Sequence, residues 1–379
     1  MDEDLVLGLY VLLPLVIGGL LVLLAQGLRA RTRPPGTLRL ISGNLLVLLL
    51  LLSLGVLGGE IYYRFFSDTT DSLGYTKLNQ RWFDRHWQLN SADFRDNIPY
   101  SLKLTPGTRR ITFLGDSFAA GHGVKNVDDR FANRLRQAHP EWEIHVLAQP
   151  GYDTGDEIQQ LRDSLAQHYQ LDVVVLVYCL NDVADMFPEW GEAVRRVRDR
   201  AAQSAWLLRN SYFVNDLYCR FYMRRDAGVK RYFEFIAQGY RDGHWDRQQQ
   251  RLRELRDLVQ SHGGRLLVVT FPFFQGLGPQ YAYYTIHDQL NQCWRMLGVA
   301  HLDLLDTYRN IPSARLIVNA NDPHPNEYAH ALAAEAIGKF LEEQLAGADK
   351  HSEKTIGGRE AKSRASGNTT APPINPGTH

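Results

Sequence analysis

The sequence predicts an α/β fold: a parallel sheet sandwiched between helix layers, with two membrane helices ahead of it. Three observations carry this reading. From Arg110 onward, short apolar, partly β-branched runs alternate with amphipathic stretches. One run, Val173–Tyr178, is apolar throughout, as a strand covered on both faces should be. Ahead of the domain stand two apolar runs of about 20 residues, enough at about 1.5 Å per residue to cross a bilayer.

Those runs are about Leu5–Ala25 and about Leu38–Gly58. A cleaved signal peptide would begin basic and have a shorter core, whereas this chain opens Met1-Asp2-Glu3-Asp4. The connecting loop carries Arg29, Arg31 and Arg33, with Arg39 beyond Pro34-Pro35, so the positive-inside rule predicts a cytoplasmic loop. Both termini and the large domain then face outward, onto the periplasm of a Gram-negative cell. Residues 1–59 thus form the membrane part and 60–109 a juxtamembrane covering segment. Trp82, Phe83, Trp87 and Phe94 of this segment suit either packing on the domain or the membrane interface.

Within 110–348 the expected strands are Ile111–Leu114, Ile144–Leu147, Val173–Tyr178, Arg265–Phe271 and His301–Leu304. The expected helices are near Arg130–Ala138, Asp156–Tyr169, Asp246–His262 and Ala329–Leu345. An insertion at about 183–243, rich in Arg, Tyr and Phe, reads either as a substrate platform or as a helical subdomain with its own aromatic core. After Ala348 the composition turns polar, which predicts a disordered tail over 349–379. A net charge of zero and the lack of a basic stripe argue against nucleic acid. Cys179, Cys219 and Cys293 are too few and too scattered for a disulfide scaffold or zinc site, and one disulfide stays open.

Three loops at the carboxyl ends of these strands, and a fourth segment far downstream, hold the candidate chemistry. Gly115-Asp116-Ser117 follows the first strand, Pro150-Gly151-Tyr152-Asp153-Thr154 the second and Asn181-Asp182 the third. Asn321-Asp322-Pro323-His324-Pro325-Asn326 precedes the last helix. A doubly wound sheet can gather all four on one edge. Ser117 would then attack a carbonyl, His324 would take its proton, and Asp322 would orient the imidazole. The Ser117 and Gly151 backbone N–H groups and the Asn181 amide would receive the oxyanion. Asp116 and Asp182 read as loop-holding residues, and His122 as a surface or pocket-rim residue with no metal duty.

The blocks Gly115-Asp116-Ser117-Phe118, Gly151, Asn181-Asp182 and Asp322-x-His324-Pro325-Asn326 resemble those of the SGNH (GDSL) hydrolases. Asn90-Ser91-Ala92-Asp93-Phe94-Arg95-Asp96 is similar to the lead-in of membrane-attached bacterial members. The resemblance covers about residues 88–345. It implies a flavodoxin-like three-layer α/β/α fold and serine ester hydrolysis without metal or other cofactor. The sequence departs from the family pattern in two places. Cys179 stands where the family has glycine, and the aspartate lies two residues before His324 rather than three. Asp322 therefore reads either as the orienting carboxylate or as a bystander, with a backbone carbonyl steering the imidazole.

The expected substrate is a small acyl ester, most naturally an acetyl group on an envelope carbohydrate. An O-acyltransferase that passes the acyl group to a sugar hydroxyl would use the same residues. A catalytically inactive binding module is the third possibility.

Overall fold

The structure, a computed structural model, describes residues 2–29, 36–202, 205–223 and 225–366. Helices α1 (Asp2–Arg29) and α2 (Thr37–Ile61) pack as an antiparallel hairpin. Arg64, just past α2, donates to the Asp4 carboxylate and the Glu3 carbonyl at the start of α1 (both 2.6 Å). α1, 28 residues long, and the helical stretch Thr37–Phe66 that continues α2 over 30 residues contain 18-residue windows of mean hydropathy 2.6 and 2.5 and measure about 42 and 45 Å, long and apolar enough to cross a membrane. The loop arginines Arg31 and Arg33 and the Pro34-Pro35 pair lie outside the described residues.

The covering segment packs on the domain. Helix α3 (Lys77–His86) is capped by Thr76, which accepts from the Asn79 amide, and it buries Trp82 completely. The lead-in is pinned through Asp96, which receives Arg130 (3.0 Å), Arg136 (2.8 Å) and the Tyr100 hydroxyl (2.5 Å).

The central sheet comprises β1 (Arg109–Gly115), β2 (Trp142–Ala148), β3 (Val173–Cys179), β4 (Arg265–Phe271) and β5 (Ala300–Asp303). All pairings are parallel, in the order β2-β1-β3-β4-β5. This is the flavodoxin-like order, whose switch point falls between β1 and β3. β1 begins earlier than its apolar run because Arg110 is buried whole, paired with Glu143 (2.9 Å) and donating to the Leu102 and Gln170 carbonyls.

Helices α4 (Ser117–Ala120), α5 (Phe131–Ala138) and α6 (Thr154–Ala166) follow the first two strands. α6 starts two residues before its expected place because Asp153 and Asp156 form a capping box, and it ends early where His168 turns left-handed (φ 65°). The insertion is helical: α7 (Pro188–Ala202), α8 (Trp206–Asn210), α9 (Tyr212–Met223), α10 (Ala227–Lys230) and α11 (Tyr232–Gly239). Glu60 at the end of α2 anchors it, accepting from Ser211 Oγ (2.7 Å) and the Tyr212 and Phe213 amides at the positive end of α9.

Helices α12 (Asp242–Ser261), α13 (Tyr284–Met296) and α14 (Leu305–Tyr308) precede a hairpin of β6 (Ile317–Asn319) and β7 (Asp322–Pro325). The periodicity reading assigned neither α13 nor the hairpin. α15 (Glu327–Ser366) buries Ala329, Ala333, Ile337, Leu341 and Leu345 along one face. Good helix formers carry it past the expected end and into the stretch read as a disordered tail; residues 367–379 lie outside the described residues. All three cysteines are buried free thiols, so the open disulfide option is closed.

Candidate active site

β1 delivers Ser117 through a tight turn. A side chain on Gly115 would come within 2.9 Å of Ala119 Cβ and 3.0 Å of the Val177 carbonyl, so only glycine lets β1, β3 and α4 approach this closely. Asp116 caps α4, its Oδ1 accepting the Phe118 amide (2.8 Å), and Ser117 becomes the first residue of that one-turn helix.

The hairpin brings its partners. Asp322 and His324 are alternate residues of β7, and side chains two apart on a strand share a face. That geometry makes the short Asp-x-His spacing workable: Asp322 Oδ1 sits 2.5 Å from His324 Nδ1. His324 Nε2 lies 2.8 Å from Ser117 Oγ, which gives a continuous hydroxyl–imidazole–carboxylate chain.

The other oxygen of Asp322 is also held. Thr70 donates its hydroxyl to Oδ2, and His122 Nε2 lies 3.4 Å from it. Of the two placements expected for His122, surface or pocket rim, the structure has it at the cavity wall, only 4 % exposed, with its ring 4.3 Å from that of His324. The tertiary fold, not local sequence, seals it beneath Trp82 and Phe83 of the covering segment. Neither Thr70 nor His122 carries a motif that marks it. Each lies some 200 or more residues from Asp322 in sequence, so only the folded chain brings them together.

The environment polarises the chain. Burial alone would raise the Asp322 pKa, but the charge on His324 and hydrogen bonds from His122 and His324 hold it well below the ordinary carboxylate range. Burial would likewise lower His324, yet the charge and hydrogen bond of Asp322 lift it above the usual imidazole value. His122 moves the other way, lowered by burial and by the charge of His324. Donor atoms of His122, Asp322 and His324 lie within 4.8 Å of one another, close enough to hold a metal ion. Both His324 nitrogens are, however, engaged by Asp322 and Ser117, which suits proton transfer rather than ligation.

The expected oxyanion donors line the same cavity of about 1340 Å³ as Ser117 and His324. Gly151 has φ 86°, a backbone conformation that favours glycine, and a Cβ there would meet no protein atom within 4 Å. Thr154 N donates to the Asp182 carbonyl (3.3 Å), which ties the Gly151 and Asn181 loops together. Asn181 Nδ2 lies 3.4 Å from Asp116 Oδ2, and an amide has a second N–H to offer. Asp182 shapes its loop as expected, accepting the Cys179 amide (3.0 Å). Cys179 is tolerated in the family's glycine position because it ends β3 outside the positive-φ region.

Behind these loops, Asp116, Glu157 and Asp182 form a buried acidic group. Both Glu157 carboxyl oxygens are buried without a hydrogen-bond partner among the described residues. Burial, then Asp116 and Asp153, push its pKa well up. A raised carboxyl favours the fold below its unfolded pKa and loses that contribution as pH rises through the folded value. Glu157→Gln should therefore stabilise the protein by on the order of 1–2 kcal/mol at pH 8 and by almost nothing at pH 4, as denaturant unfolding at the two pH values will show.

Residues 113–332 match the model of the GDSL-like lipase/acylhydrolase family. The chain matches no curated protein. Among solved structures it is similar to TesA, at 13% identity and TM-score 0.40, covering 62% of this chain and 99% of that one. A member of the lipolytic protein G-D-S-L family from Veillonella parvula DSM 2008 aligns at 11% identity and TM-score 0.38, covering 60% of this chain and 96% of its own. An extracellular lipase from Streptomyces rimosus aligns at 15% and 0.35, covering 60% of this chain and all of its own.

Proposed function

The chain belongs to the GDSL-like lipase/acylhydrolase family, and we propose that it is a membrane-anchored serine ester hydrolase acting outside the cytoplasm on a small acyl ester, the acetyl group of an envelope carbohydrate being the best fit. The observation that carries the reading is the chain Ser117 Oγ–His324–Asp322, with 2.8 and 2.5 Å links, at the wall of a large cavity.

In this reaction Ser117 Oγ attacks the carbonyl carbon as His324 Nε2 takes its proton, and Asp322 stabilises the imidazolium. The carbonyl oxygen becomes an oxyanion, received by the Ser117 and Gly151 N–H groups and the Asn181 amide. Collapse breaks the ester C–O bond, His324 gives its proton to the leaving alkoxide, and an acyl-serine is left. Water, deprotonated by His324, then attacks that ester and releases the acid and free Ser117. Asn181→Ala should lower kcat about 10²- to 10³-fold with little change in KM, measured on 4-nitrophenyl acetate.

The outward orientation rests on the arginine-rich connection between α1 and α2, which the positive-inside rule keeps in the cytoplasm. Fluorophosphonate labelling of the folded full chain tests the central claim: Ser117 should be modified, and an unlabelled folded protein would sink the reading. Acetate release from 4-nitrophenyl acetate with and without a glycan acceptor separates hydrolysis from acyl transfer to sugar.

A further inference from the structure

The cavity holding Ser117 carries a charge pattern that ester cleavage by itself does not require. Arg195 and Arg198 on α7 and Arg209 on α8 line it, all three exposed. None of them pairs with a carboxylate among the described residues. Arg196 is matched by Asp226 (3.6 Å), Arg220 by Asp216 (2.8 Å) and Arg231 by Glu234 (3.1 Å). Arg200, Arg225 and Arg241 of the insertion also lack a carboxylate partner among the described residues, but only Arg195, Arg198 and Arg209 place their charge on the cavity wall.

Other charges on the cavity wall are already engaged. Lys77 pairs with Glu3 (2.6 Å), and Asp185 is clamped by both terminal nitrogens of Arg251 (2.9 and 2.5 Å). Asp153 spends its Oδ1 on the amides of Gly155 and Asp156 at the start of α6. The unmatched positive charge therefore lies on the α7–α8 wall, while Asp153 and Asp185 stand with the Gly151 loop. Trp190, Tyr232 and Phe233 line the same cavity and offer ring faces to a substrate body. Guanidinium groups present planar forks that fit carboxylate and phosphate oxygens, and a cleft concentrates their field.

We propose that the substrate is an anionic ester, whose alcohol portion carries a carboxylate or phosphate received by Arg195, Arg198 and Arg209 while its acyl carbonyl lies at Ser117. The proposal rests on the serine-esterase reading and names its substrate class. It follows that the cavity selects by charge at a distance from the bond that breaks.

Binding to the full-length Ser117→Ala chain in detergent, followed by calorimetry, tests this without needing catalysis. The probes are O-acetylated oligogalacturonate for carboxylate, acetylated glucose 6-phosphate for phosphate, and an acetylated xylo-oligosaccharide as the neutral control. One anionic probe should bind about tenfold or more tighter than the neutral one, and which of them does so identifies the charged group. The preference should collapse between about 50 and about 500 mM NaCl and on Arg195→Glu/Arg198→Glu. In the active chain that double reversal should cut the ratio of kcat/KM on the anionic ester to kcat/KM on 4-nitrophenyl acetate about tenfold. Arg195→Gln/Arg198→Gln serves if charge reversal disturbs folding. Equal affinity for charged and neutral probes, or a preference that survives both double variants, overturns the proposal. Failure of fluorophosphonate labelling would instead remove the esterase reading, so the two failures are distinguishable.

Discussion

Ser117→Ala should abolish fluorophosphonate labelling and lower kcat/KM on 4-nitrophenyl acetate by on the order of 10⁴-fold or more. The size follows from the role: with no hydroxyl there is no acyl-enzyme, and only the oxyanion donors and binding contacts are left to accelerate attack by water. The substitution removes one oxygen from a site floored by β1 and α4, so circular dichroism and the melting midpoint should stay near those of the parent chain. His324→Gln should give a loss of similar size, and the double variant should lose little more, because members of one relay are strongly non-additive. Labelling that persists in Ser117→Ala would place the nucleophile elsewhere and refute the assignment.

The second large effect concerns Asp322. His324 must be neutral to accept the Ser117 proton, so kcat/KM should rise with pH through the His324 pKa. Because Asp322 raises that pKa, the midpoint should lie above the ordinary imidazole value of about 6.5. Asp322→Asn removes the charge that raises it. The limb should then move to lower pH, and the plateau should fall on the order of 10⁴-fold, since an amide no longer fixes the imidazole tautomer. An unshifted midpoint with a small rate loss would mean that a backbone carbonyl orients His324.

Thr70 and His122 both lie against the second carboxylate oxygen of Asp322. A carboxylate two residues from its histidine sits on the same strand face, and its second oxygen needs donors of its own once buried. Thr70 supplies one from the covering segment, and His122 in the turn after α4 places Nε2 3.4 Å from the same oxygen and 3.3 Å from the Asp71 carbonyl. The segment over 60–109 is thus part of the site's support rather than a linker between membrane and domain.

The parallel sheet and the switch point it creates were legible in the sequence because continuous apolar runs such as Val173–Tyr178 depend only on burial of both strand faces. Ser117, Gly151 and Asn181 were legible because each follows the carboxyl end of a sheet strand, and His324 because its block precedes the last helix. The hairpin of β6 and β7 was not, since Asp322-Pro323-His324-Pro325 has no strand periodicity and pairs only in place. Nor was the burial of His122 and Glu157, because burial depends on what other segments lay over a residue. By itself the sequence determined the layered fold, the two apolar helices and the residue types of the site. Tertiary structure alone decided that Asp322 faces His324, that Thr70 and His122 hold it, and that three arginines of the insertion line the cavity unmatched, because each is a contact between segments distant in the chain.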